Sequence, residues 1–382
     1  MRNLLKRKGV QSLIASLLCI ILGLLLGYVV LLFINPAGAG QAILAVIRNF
    51  LNVSKANLQL KNLGNTLVKT APLLMCSLSV LFAYKVGLFN IGVAGQYVVG
   101  AAAGLYAALQ WGWGWLPCLL LAIALGAVSG AIVGMLKAYQ NVNEVISGIM
   151  LNWITLYTAN MILSGVTEQA SPYTLHLRGN ADQAILPSLG LGNLFNKHQY
   201  ITIAVPLAII LAIVVLVVLD KTRFGYELRA TGNNKNAAKY AGMAEKRNII
   251  LTLMIGGALA AMGGALLYLT DFEQWSVGLS SVPGMGFNGI AAAFLGGLNP
   301  IGAIFSSYFI QHITAGGAFV DKSMYASQIS DLISSIIIYL CGFVLFIKHA
   351  MNTGLLRSEE RAALRKQKKA AQAGNPEKGG ES

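Results

Sequence analysis

Charge is scarce in this sequence. Only 11% of its 382 residues are Asp, Glu, Lys or Arg, against about 25% in an ordinary soluble domain. Long stretches carry no charge at all, which excludes the pair of soluble domains that the length alone would allow. Cysteine is sparse too. Cys19, Cys76, Cys118 and Cys341 each fall in a different apolar run without paired spacing, so they read as small packing residues and neither a disulfide framework nor a metal motif. The four histidines are scattered and form no metal cluster. Also missing is the G-x4-G-K-[ST] phosphate loop. The nearest stretch, GNTLVKT at 64–70, lacks the second glycine and opens an apolar run. An intramembrane enzyme would need a nucleophile beside a base, or a metal pair, at one depth; neither is visible.

What the sequence has is apolar length. Hydrophobic residues make up 56% of it and its mean hydropathy is +0.65. A helix crosses a bilayer with about 20 mostly apolar residues. The candidate spans are 12–34, 65–85, 88–110, 115–137, 144–164, 199–219, 249–270, 285–298, 301–320 and 329–348. They define an all-α integral membrane protein of ten transmembrane helices, the eighth short enough to be a half-span buried in protein. The first run follows MRNLLKRKGV and is longer than a signal-peptide core, so it is read as an uncleaved span. The net charge of +14 does not indicate nucleic acid, because the basic residues cluster between apolar runs. Most of them, at the N-terminus, in 220–248 and from Lys348 onward, fall on one side. The positive-inside rule then places both termini in the cytoplasm of a multi-pass inner or plasma membrane protein. WGWGWLP at 111–117 lies at the outer interface. Residues 35–63 read as an amphipathic stretch along the outer surface, 165–198 as an outer loop, and 349–382 as a basic tail, partly disordered, with Ser358 capping a short helix.

Offset by five spans, the second half of the membrane region 1–348 lies over the first, with repeat halves near 65–164 and 249–348. Phe89-Asn90 in GLFNIGVAGQ then matches Phe287-Asn288 in GMGFNGIAAAFLGG. Five is odd, so the copies would cross in opposite directions, as an inverted repeat. Gly126, Gly130 and Gly134, and likewise Gly256, Ala260 and Gly264, recur at four-residue spacing, which lets helix backbones approach closely. The polar residues at membrane depth are few: Asn90, Gln96, Glu144, Asn152, Asn160, Asn288, Gln311, His312 and Asp331. A polar group in hydrocarbon needs a partner or a wet path. With no ladder of ionisable groups for an ion-driven pump, the carboxamides suit an uncharged hydrogen-bonding solute, or bonds between helices. Asn143 is placed to cap a helix with Glu144 in its first turn.

The longest inner segment, 220–248, is too polar for lipid and too long for a tight turn. NAAKYAGMAEK within it reads as a short helix capped by Asn236 and closed near Gly242. Taken together, GLFNIGVAGQ, NEVISGIMLNWI, LRATGNNKNAAKYAGM and GFNGIAAAFLGGLNPIGA resemble the permease subunits of bacterial ABC importers for simple sugars and nucleosides, with the nucleoside branch closer. The likeness covers most of 60–345. It implies a solute path drawing on Phe89, Asn90, Gln96, Asn152, Phe287, Asn288 and Gln311, and a coupling loop with Gly232, Asn236, Ala237, Ala238 and Gly242 docking on a separate ATPase. Importer permeases often carry E-A-A-x3-G there; here Asn236 replaces the Glu. The resemblance implies no cofactor on this chain, with ATP and Mg used by ABC ATPase subunits. A second permease chain, identical or homologous, and an external solute-binding lipoprotein would complete the assembly in the lipid bilayer. A simple-sugar importer is the nearest alternative, an ion-coupled secondary transporter a more distant one.

Overall fold

The computed structural model describes residues 8–166, 173–326, 328–344, 346–354 and 364. Fourteen helices are described: α1 (Lys8–Ile34), α2 (Ala39–Arg48), α3 (Ala56–Lys85), α4 (Val93–Trp111), α5 (Trp115–Gln140), α6 (Glu144–Leu163), α7 (Leu191–Leu194), α8 (Ala204–Lys221), α9 (Arg223–Asn233), α10 (Lys235–Tyr240), α11 (Glu245–Tyr268), α12 (Gly284–Leu295), α13 (Pro300–Gly316) and α14 (Ile329–Cys341). A two-residue antiparallel pairing, Thr174–Leu175 (β1) with Trp275–Ser276 (β2), ties the loop before α7 to the loop after α11.

Among the described residues six helices, α1, α3, α5, α6, α8 and α11, are long and apolar enough to cross a membrane. Their burial separates an axis from a periphery. The apolar windows of α3 and α11 are 89% and 72% buried, while those of the other four are between 22% and 33% buried. The outward faces of the peripheral helices carry Leu120, Val128, Ile132, Ile146, Met150, Ile210 and Val217. Water would penalise such faces, whereas a bilayer accepts them, because helices satisfy their own backbone polar groups.

Glycine on the axis replaces side-chain bulk with backbone contact. A Cβ at Gly126 would meet Ala261, one at Gly130 would overlap the Leu253 carbonyl, and one at Gly134 would touch Ile250. The α5 stripe therefore lies directly on α11. Gly256 and Gly264 face the other way, toward Asn90 and Ser79 and toward Tyr97 and Ala101. The glycine of α11 that lies against Gly126 and Gly130 is Gly257, outside the four-residue pattern read from the sequence.

Helix ends follow local chemistry. Asn143 accepts from the Val145 N–H at 2.8 Å, and Glu144 pairs with Lys137 at 2.7 Å across the α5–α6 turn. Asn299 accepts from Ile301 and Gly302, with Pro300 in the first turn of α13. Gly87 closes α3 in the left-handed region (φ +77), with Gly87 N–H on Tyr84 O and Leu88 N–H on Ala83 O, the Schellman arrangement.

Several boundaries differ from the sequence expectation. α3 begins at Ala56, more than two turns before the run at 65. The segment 35–63 does not simply lie along a surface: Ala39, Ala42 and Val46 of α2 are buried, and Gly316 of α13 abuts the Val46 backbone. Asn49 is buried and donates to Thr66 Oγ1 and His312 O, which pins this segment to α3 and α13. The run at 88–110 becomes helical only from Val93. The run at 285–298 gives a helix of 12 residues, about 18 Å at 1.5 Å per residue. The position of Ser358, and nearly all of the basic tail around it, lies outside the described residues.

Candidate functional site

GLFNIGVAGQ leaves the end of α3 at Gly87, crosses as non-helical chain, and starts α4 at Val93. Asn90 is 2% exposed and Gln96 is 2% exposed. Asn90 Nδ2 donates to Gln96 Oε1 at 2.8 Å and to Ser79 Oγ at 3.0 Å. These bonds make one cluster from three elements: α3, the 88–92 connection and α4. Gln96 Nε2 has no hydrogen-bond partner, and neither does Ser77 Oγ, two residues before Ser79 on another face of α3. Two buried polar groups thus keep unused hydrogen-bonding capacity inside the bundle, at a cost of about 1–3 kcal/mol each relative to a satisfied group.

Asn152 of α6 is fully engaged with the same segment. Its Oδ1 accepts from the Gly95 N–H at 2.7 Å and its Nδ2 donates to Ile91 O at 3.0 Å. Those are backbone groups that the helix start leaves open. Gly148, one turn earlier, allows the approach, since a Cβ there would lie 2.8 Å from the Gly92 nitrogen.

The second FN stretch comes to the first. Gly286 of α12 abuts the Ala94 backbone, and its absent Cβ leaves the room for it. At the other end of α12, Phe294 packs on Phe89 at 6.4 Å between ring centroids and on Tyr84 at 5.3 Å. α12 therefore starts beside the first turn of α4 and runs back along the segment that leads into α4. Phe287 is 40% exposed. Asn288 is half-buried. Gln311 of α13 is buried, its Nε2 set 3.7 Å from Met285 Sδ just ahead of the FN pair. Of the path residues read from the sequence, the structure joins Phe89, Asn90, Gln96 and Asn152 directly. Phe287, Asn288 and Gln311 lie on the adjoining helices α12 and α13. Ser77 and Ser79 were not singled out in the sequence; two hydroxyls two residues apart in the most buried apolar helix were the available signal.

The residues read from the sequence as a coupling loop lie elsewhere, on α9, α10 and the turn after α10. Asn234, not Asn236, caps α10: its side chain accepts from the Ala237 N–H at 3.0 Å. Asn236 is exposed, two residues too late for the cap. Gly242 closes the helix with φ +79, its N–H on Lys239 O and the Met243 N–H on Ala238 O. Ala238 is buried, whereas Asn236, Ala237 and Gly242 face outward. Tyr240 projects beside them with 93% of its surface exposed, an aromatic that pattern reading passed over. Behind them Asn248 Nδ2 donates to Thr231 Oγ1 at 2.9 Å, fastening α9 to α11. Gly232 sits against the backbone of Val86 and Gly87.

Comparison with known proteins covers most of the chain. A family model described as branched-chain amino acid transport system / permease component matches residues 62–342. The guanosine ABC transporter permease protein NupP of Bacillus subtilis is 31% identical over 336 residues, 87% of this chain and 93% of its own. The nucleoside ABC transporter permease protein NupB of Lactococcus lactis is 29% identical over 347 residues, 86% of this chain and 90% of its own. The glucose ABC transporter permease protein TsgB13 of Haloferax volcanii is 28% identical over 285 residues, 72% and 74% of the two chains. No solved structure matches. With its apolar spanning helices and this match over most of its length, the chain is a multi-pass membrane permease subunit, a transport component, and it belongs to the branched-chain amino acid transport system / permease component family.

Proposed function

We propose that this chain forms the solute path of an ATP-driven nucleoside importer and couples that path to separate ATPase subunits. The observation that carries the substrate class is the nature of the buried polar cluster. Asn90, Gln96 and Ser79 offer amide and hydroxyl groups without an ionised partner, and Gln96 Nε2 is unsatisfied. Such groups suit the donor and acceptor edges of an uncharged nucleobase or ribose. The relatives support the same choice: the guanosine and nucleoside permeases cover 87% and 86% of this chain, the glucose permease 72%.

In this reading the chain crosses ten times with both termini in the cytoplasm, and its two halves form an inverted repeat. The meeting of α4 and α12 at Ala94 and Gly286 supports that arrangement, since two discontinuous helices that start together near the centre are its usual signature. The exposed face of α10, with Asn236, Ala237, Gly242 and Tyr240, docks on an ABC ATPase that binds ATP and Mg; this chain holds neither. A second permease chain and a solute-binding lipoprotein complete the importer. Simple sugars share the hydroxyl chemistry and are the second reading, favoured by the glucose permease match.

The test is uptake by the reconstituted importer. Labelled nucleosides should enter proteoliposomes only with ATP, and the loaded binding protein should stimulate ATP hydrolysis. Uptake of hexoses but not nucleosides would replace the substrate class, and uptake without the ATPase would overturn the coupling. Gly242→Trp should leave hydrolysis running while uptake is lost; retained uptake would remove the docking role of α10.

A further inference from the structure

We propose that residues 86–92 are the transmission element between the docking surface and the polar cluster, with Gly232 as its positioning residue. This rests on the ATP-coupled reading above. The observations form one continuous strap of backbone contacts. A Cβ on Gly232 would overlap the Val86 carbonyl, and one on Gly87 would lie 2.9 Å from Gly232 O. The end of α9 and the end of α3 therefore touch with no side chain between them. Three residues beyond Gly87 comes Asn90, which holds Gln96 and Ser79.

The strap is fixed on both sides. Asn152 grips Ile91 O and Gly95 N–H, and Gly148 lies against Gly92. On the docking side, α9 leads through Asn234 straight into α10, while Thr231, next to Gly232, is tied to Asn248 of α11. A soft side chain at the Gly232–Gly87 junction would absorb a small displacement of α9. Direct backbone contact passes it on: Gly87 and Gly232 are themselves exposed, but no rotatable side chain separates the two segments, and Val86 and Leu88 on either side of Gly87 are buried. Movement at α10 then reaches the Asn90–Gln96 bond without crossing the lipid-facing helices.

Hydrogen exchange on the complete importer in nanodiscs, with and without a non-hydrolysable ATP analogue, tests this. In the wild type, peptides covering 223–242 and 86–92 should both change protection when nucleotide binds. In Gly232→Ala the 223–242 change should persist and the 86–92 change should vanish. Uptake should fall about tenfold while ATP hydrolysis continues. The proposal is overturned if 86–92 does not respond in the wild type while 223–242 does, or if Gly232→Ala keeps either the 86–92 response or uptake. The wild-type comparison decides even if Gly232→Ala does not assemble. A wild type in which 223–242 itself ignores nucleotide would instead refute the ATP-coupled function.

Discussion

Replacing Asn90 and Gln96 separately by leucine should separate bracing from transport. Asn90 Nδ2 serves two acceptors, Ser79 Oγ and Gln96 Oε1. Asn90→Leu strands both, and each buried group left unpaired costs about 1–3 kcal/mol. Membrane proteins recover part of that because the denatured chain in the bilayer also finds partners, with average losses near 0.6 kcal/mol per bond. A destabilisation of about 2–4 kcal/mol follows for Asn90→Leu. Gln96→Leu removes one acceptor but leaves Asn90 bonded to Ser79, and it also removes the Nε2 group that has no partner. Its net cost should be within about 1 kcal/mol of zero. Unfolding of the purified chain in SDS titrations gives the stabilities, and uptake gives function. The expected result is a folded Gln96→Leu chain that assembles normally and yet loses uptake, beside a visibly destabilised Asn90→Leu chain. Equal destabilisation by the two variants would refute the hydrogen-bond assignment. A stable Gln96→Leu chain with full uptake would remove Gln96 from the path.

Gly130→Val should drive α5 off α11, since its Cβ would overlap the Leu253 carbonyl. An overpacking cost of about 3 kcal/mol or more, read as lost yield of folded chain, is expected, whereas Gly40→Val, with open space around it, should be silent. Asn152→Ala should expose the Gly95 N–H and Ile91 O to an apolar surrounding, cost about 2–4 kcal/mol, and speed hydrogen exchange of the first turn of α4; unchanged exchange there would contradict the bracing role. The fourth prediction concerns His198, in the loop before α8. Burial, helped by nearby Lys61, holds its imidazole below the ordinary value of about 6.5. The neutral ring fits its partners, donating from Nε2 to Asn65 Oδ1 and accepting at Nδ1 from the Tyr200 N–H. The folded state binds fewer protons here than the unfolded state, so this contribution is complete above about pH 6.5 and declines as pH falls below it. Thermal unfolding between pH 5 and 7.5, compared with His198→Gln, checks this; an identical pH slope in both would refute it.

Much of the fold was legible because lipid enforces simple rules. Apolar length marked the spanning helices α1, α5, α6, α8 and α11 close to where they occur, and Asn143 and Gly242 sit at the helix ends their chemistry predicts. The misreadings have local causes. α3 starts early because Ala56–Lys61 are polar enough to look like loop, yet Asn49 and Thr66 hydrogen-bond that region into the bundle. The cap of α10 moved from Asn236 to Asn234 because GNNKN offers several asparagines, and only backbone geometry selects between them. At the candidate site, Asn90 and Gln96 were visible as interruptions in an apolar run. Their bond to each other, and Ser79 as its third member, depend on how α3 meets α4, which no one-dimensional spacing contains.

The small-residue stripes show the same limit and explain how the axis is built. On α11 the sequence offered one face, Gly256, Ala260 and Gly264. The helix in fact has small residues on three. Gly257 lies on Gly126 and Gly130 of α5, Gly264 on Tyr97 and Ala101 of α4, and Gly263 on Pro72 and Met75 of α3. One helix with backbone exposed on three sides can be enclosed by three neighbours at once. That is why the middle of α11, residues 256–265, is almost wholly buried with only Leu259 and Met262 as large side chains. Close packing on every side leaves little side-chain freedom to absorb movement. The α9 end reaches α11 through Thr231 and Asn248, and Gly256 of α11 stands beside Asn90 and Ser79. The axis therefore gives the polar cluster a rigid back wall, against which a displacement of 86–92 would alter the Asn90–Gln96 bond instead of being dissipated.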